Sequence, residues 1–178
     1  MRIVKIVLLV ILSLVVLILI IAAFMKKDMN VTKEVIINKS RQEVFAYVKL
    51  LKNQDNYSKW GSMDPNMKKS YSGTDGTIGF VSAWDGNKDV GAGEQEIIKI
   101  DEGNRIDYAL RFTKPFKSKA DCFITFADAG ENQTKVQWGF KSKMTYPMNI
   151  ILLFMSADEM VGKDFETGLS NLKKVMEK

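Results

Sequence analysis

Residues 84–97 read WDGNKDVGAGEQEI. The reading of their glycines decides the fold. If GAGEQE opened a phosphate-binding loop, the chain would belong among nucleotide-binding α/β proteins. A dinucleotide fingerprint needs three glycines, with a strand before them and a helix after. Gly91 and Gly93 are present, but Glu96 stands at the third position and the residues that follow alternate like a strand. Without a helix N-terminus there is no dipole to hold a phosphate. A Walker loop fails as well, because no Gly-Lys-Ser/Thr ending is present. Asp85-Gly86-Asn87 and the Gly91/Gly93 pair are instead hairpin residues, where glycine and asparagine supply positive φ.

Outward from this hairpin, short alternating runs are divided by turn signals. Strands are expected at 67–71, 77–84, 94–100, 105–112, 117–126 and 134–144. SGTDG, DEGN, TKP and DAGENQ lie among the turns. Spacings this short leave no room for crossover helices, so neighbours pair antiparallel as a meander. Before the meander, residues 31–37 (VTKEVII) form a first strand. Ser40 and Glu43 make a capping box that opens a helix carrying Val44, Phe45, Val48 and Leu51, and a short second helix carries Tyr57 and Trp60. After Pro147 the period changes. Residues 149–178 are predicted as one long helix with an apolar stripe of Val161, Phe165, Gly168, Leu169, Leu172 and Met176.

The N-terminal stretch is different in kind. Residues 3–24 begin at Ile3, end at Phe24, and are interrupted only by Lys5 and Ser13. As a helix at ~1.5 Å per residue the stretch extends ~33 Å, matching a hydrocarbon core of about 30 Å. A cleaved signal peptide is the competing reading. The apolar run exceeds the usual h-region, and no small-x-small cleavage site follows. The expected organisation is a transmembrane anchor at 1–25, a tether at 26–30 and one folded domain at 31–178. Basic residues flank the segment on both sides, so charge leaves the orientation of this single-pass protein undecided.

Composition narrows the chemistry. The chain has 178 residues, one cysteine and no histidine, which removes the commonest general base near neutral pH and the commonest metal ligand. Cys122 lies in an alternating apolar run and is expected as a small core or cavity-wall residue. No metal or cofactor is implied. The formal charge of +5 falls to +3 without Arg2 and Lys5. No basic stripe with interleaved aromatics accompanies it, so nucleic acid is not an expected partner.

The order of elements resembles the helix-grip fold of the START-like (SRPBCC) superfamily, in its polyketide cyclase/dehydrase and lipid-transport group. INKSRQEVFAYV, YSKW, WDGNKDVGAGEQEI and DFETGLSNLKKVMEK carry the resemblance, which covers residues 31–178. It implies an α+β fold in which a curved antiparallel sheet grips a long C-terminal helix around an apolar cavity. Members of that group bind lipids, sterols, hormones or polyketides, and a minority catalyse cyclisation or dehydration. Strand parity places Ile78, Phe80, Trp84, Ile98, Ile100, Ile106, Tyr108, Leu110 and Phe112 on one face, with Cys122, Ile124, Phe126, Val136, Trp138 and Phe140. By itself such a face reads as a filled core against the terminal helix, since aromatic and aliphatic stripes are core more often than ligand wall. The resemblance makes part of it a pocket wall, and the candidate ligand-binding residues are Phe80, Trp84, Ile98, Tyr108, Leu110, Phe112, Ile124, Trp138 and Phe140, with Val161 and Phe165 from the terminal helix.

Glu94 and Glu96 share parity with Ile98 and are candidate polar cavity groups, or else a solvated strand end. Asp158 is a third such group, a possible partner for Tyr108. Residues 148–160 (MNIILLFMSADEM) are apolar nearly all round in their first turns, either packed under a loop or forming a portal that faces ligand or bilayer. The function expected is a membrane-anchored binding or transfer module for a small hydrophobic ligand, with the bilayer as second partner. A cyclase/dehydrase-type enzyme and a ligand-free interaction scaffold are the alternatives.

Overall fold

In the computed structural model, which describes residues 2–178, the opening stretch is a hairpin. The order of elements is α1 (Arg2–Phe24), β1 (Asp28–Ile37), α2 (Arg41–Lys49), a 3₁₀ turn (Leu51–Asn56), α3 (Lys59–Met63), β2 (Lys68–Ser72) and β3 (Val81–Asp85). Then follow β4 (Ala92–Asp101), β5 (Arg105–Lys114), β6 (Ser118–Gly130), β7 (Gln133–Lys143), a 3₁₀ turn (Met148–Leu153), a π-helical turn (Asp158–Gly162) and α4 (Lys163–Met176). The strands form one sheet in the order β1-β7-β6-β5-β4-β3-β2. Every neighbouring pair is antiparallel. β1 starts at Asp28, three residues before the expected strand, which shortens the tether.

Between β3 and β4 the side chain of Asn87 accepts from the N–H groups of Asp89 and Val90, and Asp64 accepts from the Asn87 N–H at 2.7 Å. Gly91 has φ +71°, and a Cβ there would lie 2.5 Å from the Lys114 carbonyl oxygen. The glycine is required twice, by conformation and by the approach of the end of β5. A Gly91→Ala substitution is expected to destabilise the chain by at least about 2 kcal/mol, from left-handed strain plus displaced backbone. Chemical denaturation checks this; a loss below half that value would show the loop to be free to move.

The capping box forms as expected. The Ser40 hydroxyl accepts from the Glu43 N–H, and the Ser40 N–H donates to the Glu43 carboxylate at 3.2 Å. α2 then buries Val44, Phe45 and Val48, and Phe45 meets Phe126 of β6 edge-on at 5.2 Å. α4 buries Phe165, Gly168, Leu169 and Leu172. These all belong to the predicted stripe.

Three expectations fail, each for a local reason. Residues 149–178 are not one helix. Ser156 and Glu159 make a second capping box: the Ser156 N–H donates to the Glu159 carboxylate at 2.7 Å and the Glu159 N–H to the Ser156 hydroxyl at 3.1 Å. A helix therefore restarts there, separated from the 3₁₀ turn before it. In β4, the register against β5 shifts between Ile97 and Lys99, so Ile98 is an extra residue in a β-bulge. Ile97 is buried and Ile98 is 43% exposed. The bulge reverses the parity of everything N-terminal to it. Gly93, Gln95 and Ile97 face inward, and Glu94 and Glu96 face outward. Thr77 to Ile78 also turns rather than pairs, leaving Ile78 exposed.

Candidate functional site

The inward face of the sheet changes character along its length. At the end nearest α2 it carries large residues: Ile106, Tyr108, Ile124, Phe126 and Val136 are all buried and fill the space. Toward the other end the inward positions include Ser82, Gly93, Ala120 and Cys122, which are too small to do so. α4 is held off this end by aromatic spacers. Trp138 packs on Phe165 at 4.9 Å, Tyr57 at 5.8 Å and Trp60 at 6.5 Å, and Gly168 lets the helix approach the indole. Small side chains below and large ones at the seam leave a cavity of about 590 Å³. That volume lies within the ordinary range for small-molecule sites.

Seven of the expected residues line it: Trp84, Leu110, Phe112, Trp138, Phe140, Val161 and Phe165. Cys122 lines it too, and burial pushes its thiol well above the usual range, which leaves it un-ionised and unreactive near neutral pH. Tyr108 and Ile124 lie in the filled end instead. Phe80 is buried away from the cavity, stacked on Tyr71 at 6.1 Å. Ile98 is on the outer surface because of the bulge.

The three acidic candidates all point elsewhere. Glu94 and Glu96 receive Arg111 on the outer face at 3.0 and 2.5 Å, and these two bonds raise the guanidinium pKa. Asp158 pairs with Lys33 at 2.8 Å, beside Glu166. The Tyr108 hydroxyl therefore does not meet Asp158; it is buried without a partner among the described residues, and that burial raises its pKa strongly.

Parity reading missed the polar side of the cavity. Gln54, Asp55, Lys69, Ser82 and Gln95 line it together. Gln95 donates from Nε2 to Gln54 Oε1 at 3.1 Å, and Lys69 pairs with Asp55 at 2.7 Å. Tyr71 donates to Asp55 at 3.1 Å, and its pKa is raised by burial and then by that carboxylate. Nothing short of the bulge would have turned Gln95 inward in a sequence reading.

Apart from Asp55, the exposed lining residues belong to Lys114–Ser118 or are Lys143, Thr145 and Met148, and they mark the mouth. This is the sheet end at which β1 begins, since Asp28 pairs with Lys143. α1 therefore joins the domain beside the mouth. Its Ala22 is buried, and the Ala22 carbonyl accepts from Asn149 Nδ2 at 2.6 Å, fastening the helix to the 3₁₀ turn 148–153. The 3₁₀ turn and the two residues after it expose Met148, Leu153, Phe154 and Met155, and Phe116 of the rim and Phe24 of α1 are exposed as well. α1 is long and apolar enough to cross a membrane.

Solved structures share this architecture at low identity. Norcoclaurine synthase from Thalictrum flavum, in complex with dopamine and hydroxybenzaldehyde, aligns with a TM-score of 0.62 and 9% identity over 84% of this chain and 87% of its own. The XoxI protein of Bacillus cereus aligns at 0.57 and 16% over 83% and 95%. The di-domain aromatase/cyclase StfQ of steffimycin biosynthesis aligns at 0.62 and 8% over 85% of this chain and 51% of its own. Among curated proteins none matches the sequence. The family model described as polyketide cyclase/dehydrase and lipid transport matches residues 28–177, from the start of β1 to the end of α4, and the chain belongs to that family.

Proposed function

We propose that the chain is a membrane-tethered module that binds or transfers a small hydrophobic ligand, loaded through the mouth beside α1. The observation that carries this reading is a cavity of about 590 Å³ opening at the sheet end where a 23-residue apolar helix joins. The wall is mainly aromatic and aliphatic. Burying about 300 Å² of apolar ligand surface at ~25 cal/mol per Å² supplies about 7 kcal/mol before the entropic costs of association. The exposed Met148, Leu153, Phe154 and Phe116 would sit against the acyl region, with Lys114, Lys117 and Lys143 at head-group level. An interaction scaffold would need an interior closed by side chains, and the hollow argues against that.

The chain carries its own reporters. All three tryptophans, Trp60, Trp84 and Trp138, line the cavity, and α1 has none. Bromine quenches indole fluorescence at contact range. Titrating the full chain in detergent micelles with methyl 9,10-dibromostearate is expected to quench saturably, and oleyl alcohol is expected to reverse the effect. Fluorescence indifferent to the brominated ester, or quenching that never saturates, would refute the reading.

A further inference from the structure

We infer that Gln54 and Gln95 recognise the polar end of the cavity's ligand, and that this end is uncharged and presents a hydrogen-bond donor beside an acceptor, as a carboxamide does. This rests on the cavity being a ligand site. Gln95 is 9% exposed and lines the cavity, between the inward positions Gly93 and Ile97 of β4 and opposite Ser82 of β3. Its amide makes one bond to the Gln54 amide, at 3.1 Å. Two carboxamides joined by one N–H···O contact leave one free carbonyl and one free NH₂ between them, whichever way each is turned. Among the described residues no protein group takes up the remaining pair. Covering either free group with apolar surface would strip it of water without replacing the hydrogen bond, so the complementary guest offers both partners at once.

Charge on the same wall points the same way. The charged groups there are Lys69 and Asp55, already joined at 2.7 Å, and they sum to zero. A fatty carboxylate brought to the glutamines would find no unpaired cation. It would be drawn instead to Lys117 at the mouth, with its chain reversed. The apolar body of a neutral amphiphile, by contrast, can lie along Trp84, Leu110 and Phe112 with its head at Gln95.

The test compares 9,10-dibromostearamide, methyl 9,10-dibromostearate and 9,10-dibromostearate by tryptophan quenching of the full chain at neutral pH. The amide is expected to bind about tenfold more tightly than the ester and the carboxylate, because only it pairs both free groups. Gln95→Leu and, separately, Gln54→Leu are expected to reduce that preference to within about twofold. Far-UV circular dichroism establishes that each variant is folded, and Gln54, on the 3₁₀ turn, serves if the strand variant is not. Quenching by all three with no preference, or a preference that survives both substitutions, overturns the inference alone. Absence of quenching by any of them removes the cavity reading and this one with it.

Discussion

Replacing Trp138 by alanine is expected to lower the unfolding free energy of the chain by about 3–5 kcal/mol, the range for deleting a large buried aromatic. Trp138 is 2% exposed and forms the seam between sheet and helix, touching Phe165 of α4, Tyr57 and Trp60. Its removal joins a new void to one that already exists, so the surroundings have little to collapse against. Urea denaturation of the full chain in detergent, followed by circular dichroism, measures the loss. Trp138→Phe keeps a ring at the seam and is expected to lose less than half as much. If the alanine variant loses under about 1 kcal/mol, α4 is not held as described.

The second large effect concerns the hollow itself. Cys122→Phe puts a ring where β6 has a small side chain at the cavity wall. In a filled core such a change overpacks and costs about 1–3 kcal/mol. Here the ring has space to enter, so stability is expected to hold within about 1 kcal/mol while affinity for methyl 9,10-dibromostearate falls at least about tenfold. Retained affinity would place the ligand elsewhere. Heavy destabilisation with no change in binding would mean that the interior at Cys122 is already full.

Much of this was legible in the sequence because the signals were local. Ser40 with Glu43, the turn residues of 85–91 and the stripe from Phe165 to Leu172 each act within a few residues, and the structure uses each as expected. The order of β2 to β7 followed from short turns, whereas the pairing of β1 with β7 joins the two ends of the domain and has no local signal. β4 defeated the reading because side-chain direction along a strand is inherited from residue to residue. One extra residue at Ile98 carried Glu94 and Glu96 outward and Gln95 inward. Alternation read back from Ile100 cannot detect this, since the bulge is fixed by pairing with β5. The helix break was in principle visible, because Ser156 and Glu159 have the capping-box spacing, but the apolar run around them masked it. The junction of Asn149 with the Ala22 carbonyl joins residues 127 apart in sequence, and nothing local announces it.

The bulge also bears on chemistry. It removes both glutamates from the interior and gives them to Arg111, where exposed pairs add little stability. Gln95 turns inward in their place and bonds Gln54 of the 3₁₀ turn. A cavity with apolar walls and an amide pair is suited to holding an amphiphile by shape and hydrogen bonds.

The central claim is that the sheet and α4 enclose a space filled by a guest rather than by the protein's own atoms. Native mass spectrometry of the full chain, purified from its own cells in mild detergent and released by gentle activation, tests it most directly. The expected spectrum contains the chain plus one amphiphile of discrete mass, lost in the Cys122→Phe variant. A spectrum of bare chain alone, unchanged after incubation with lipid extract from the same cells, would contradict it.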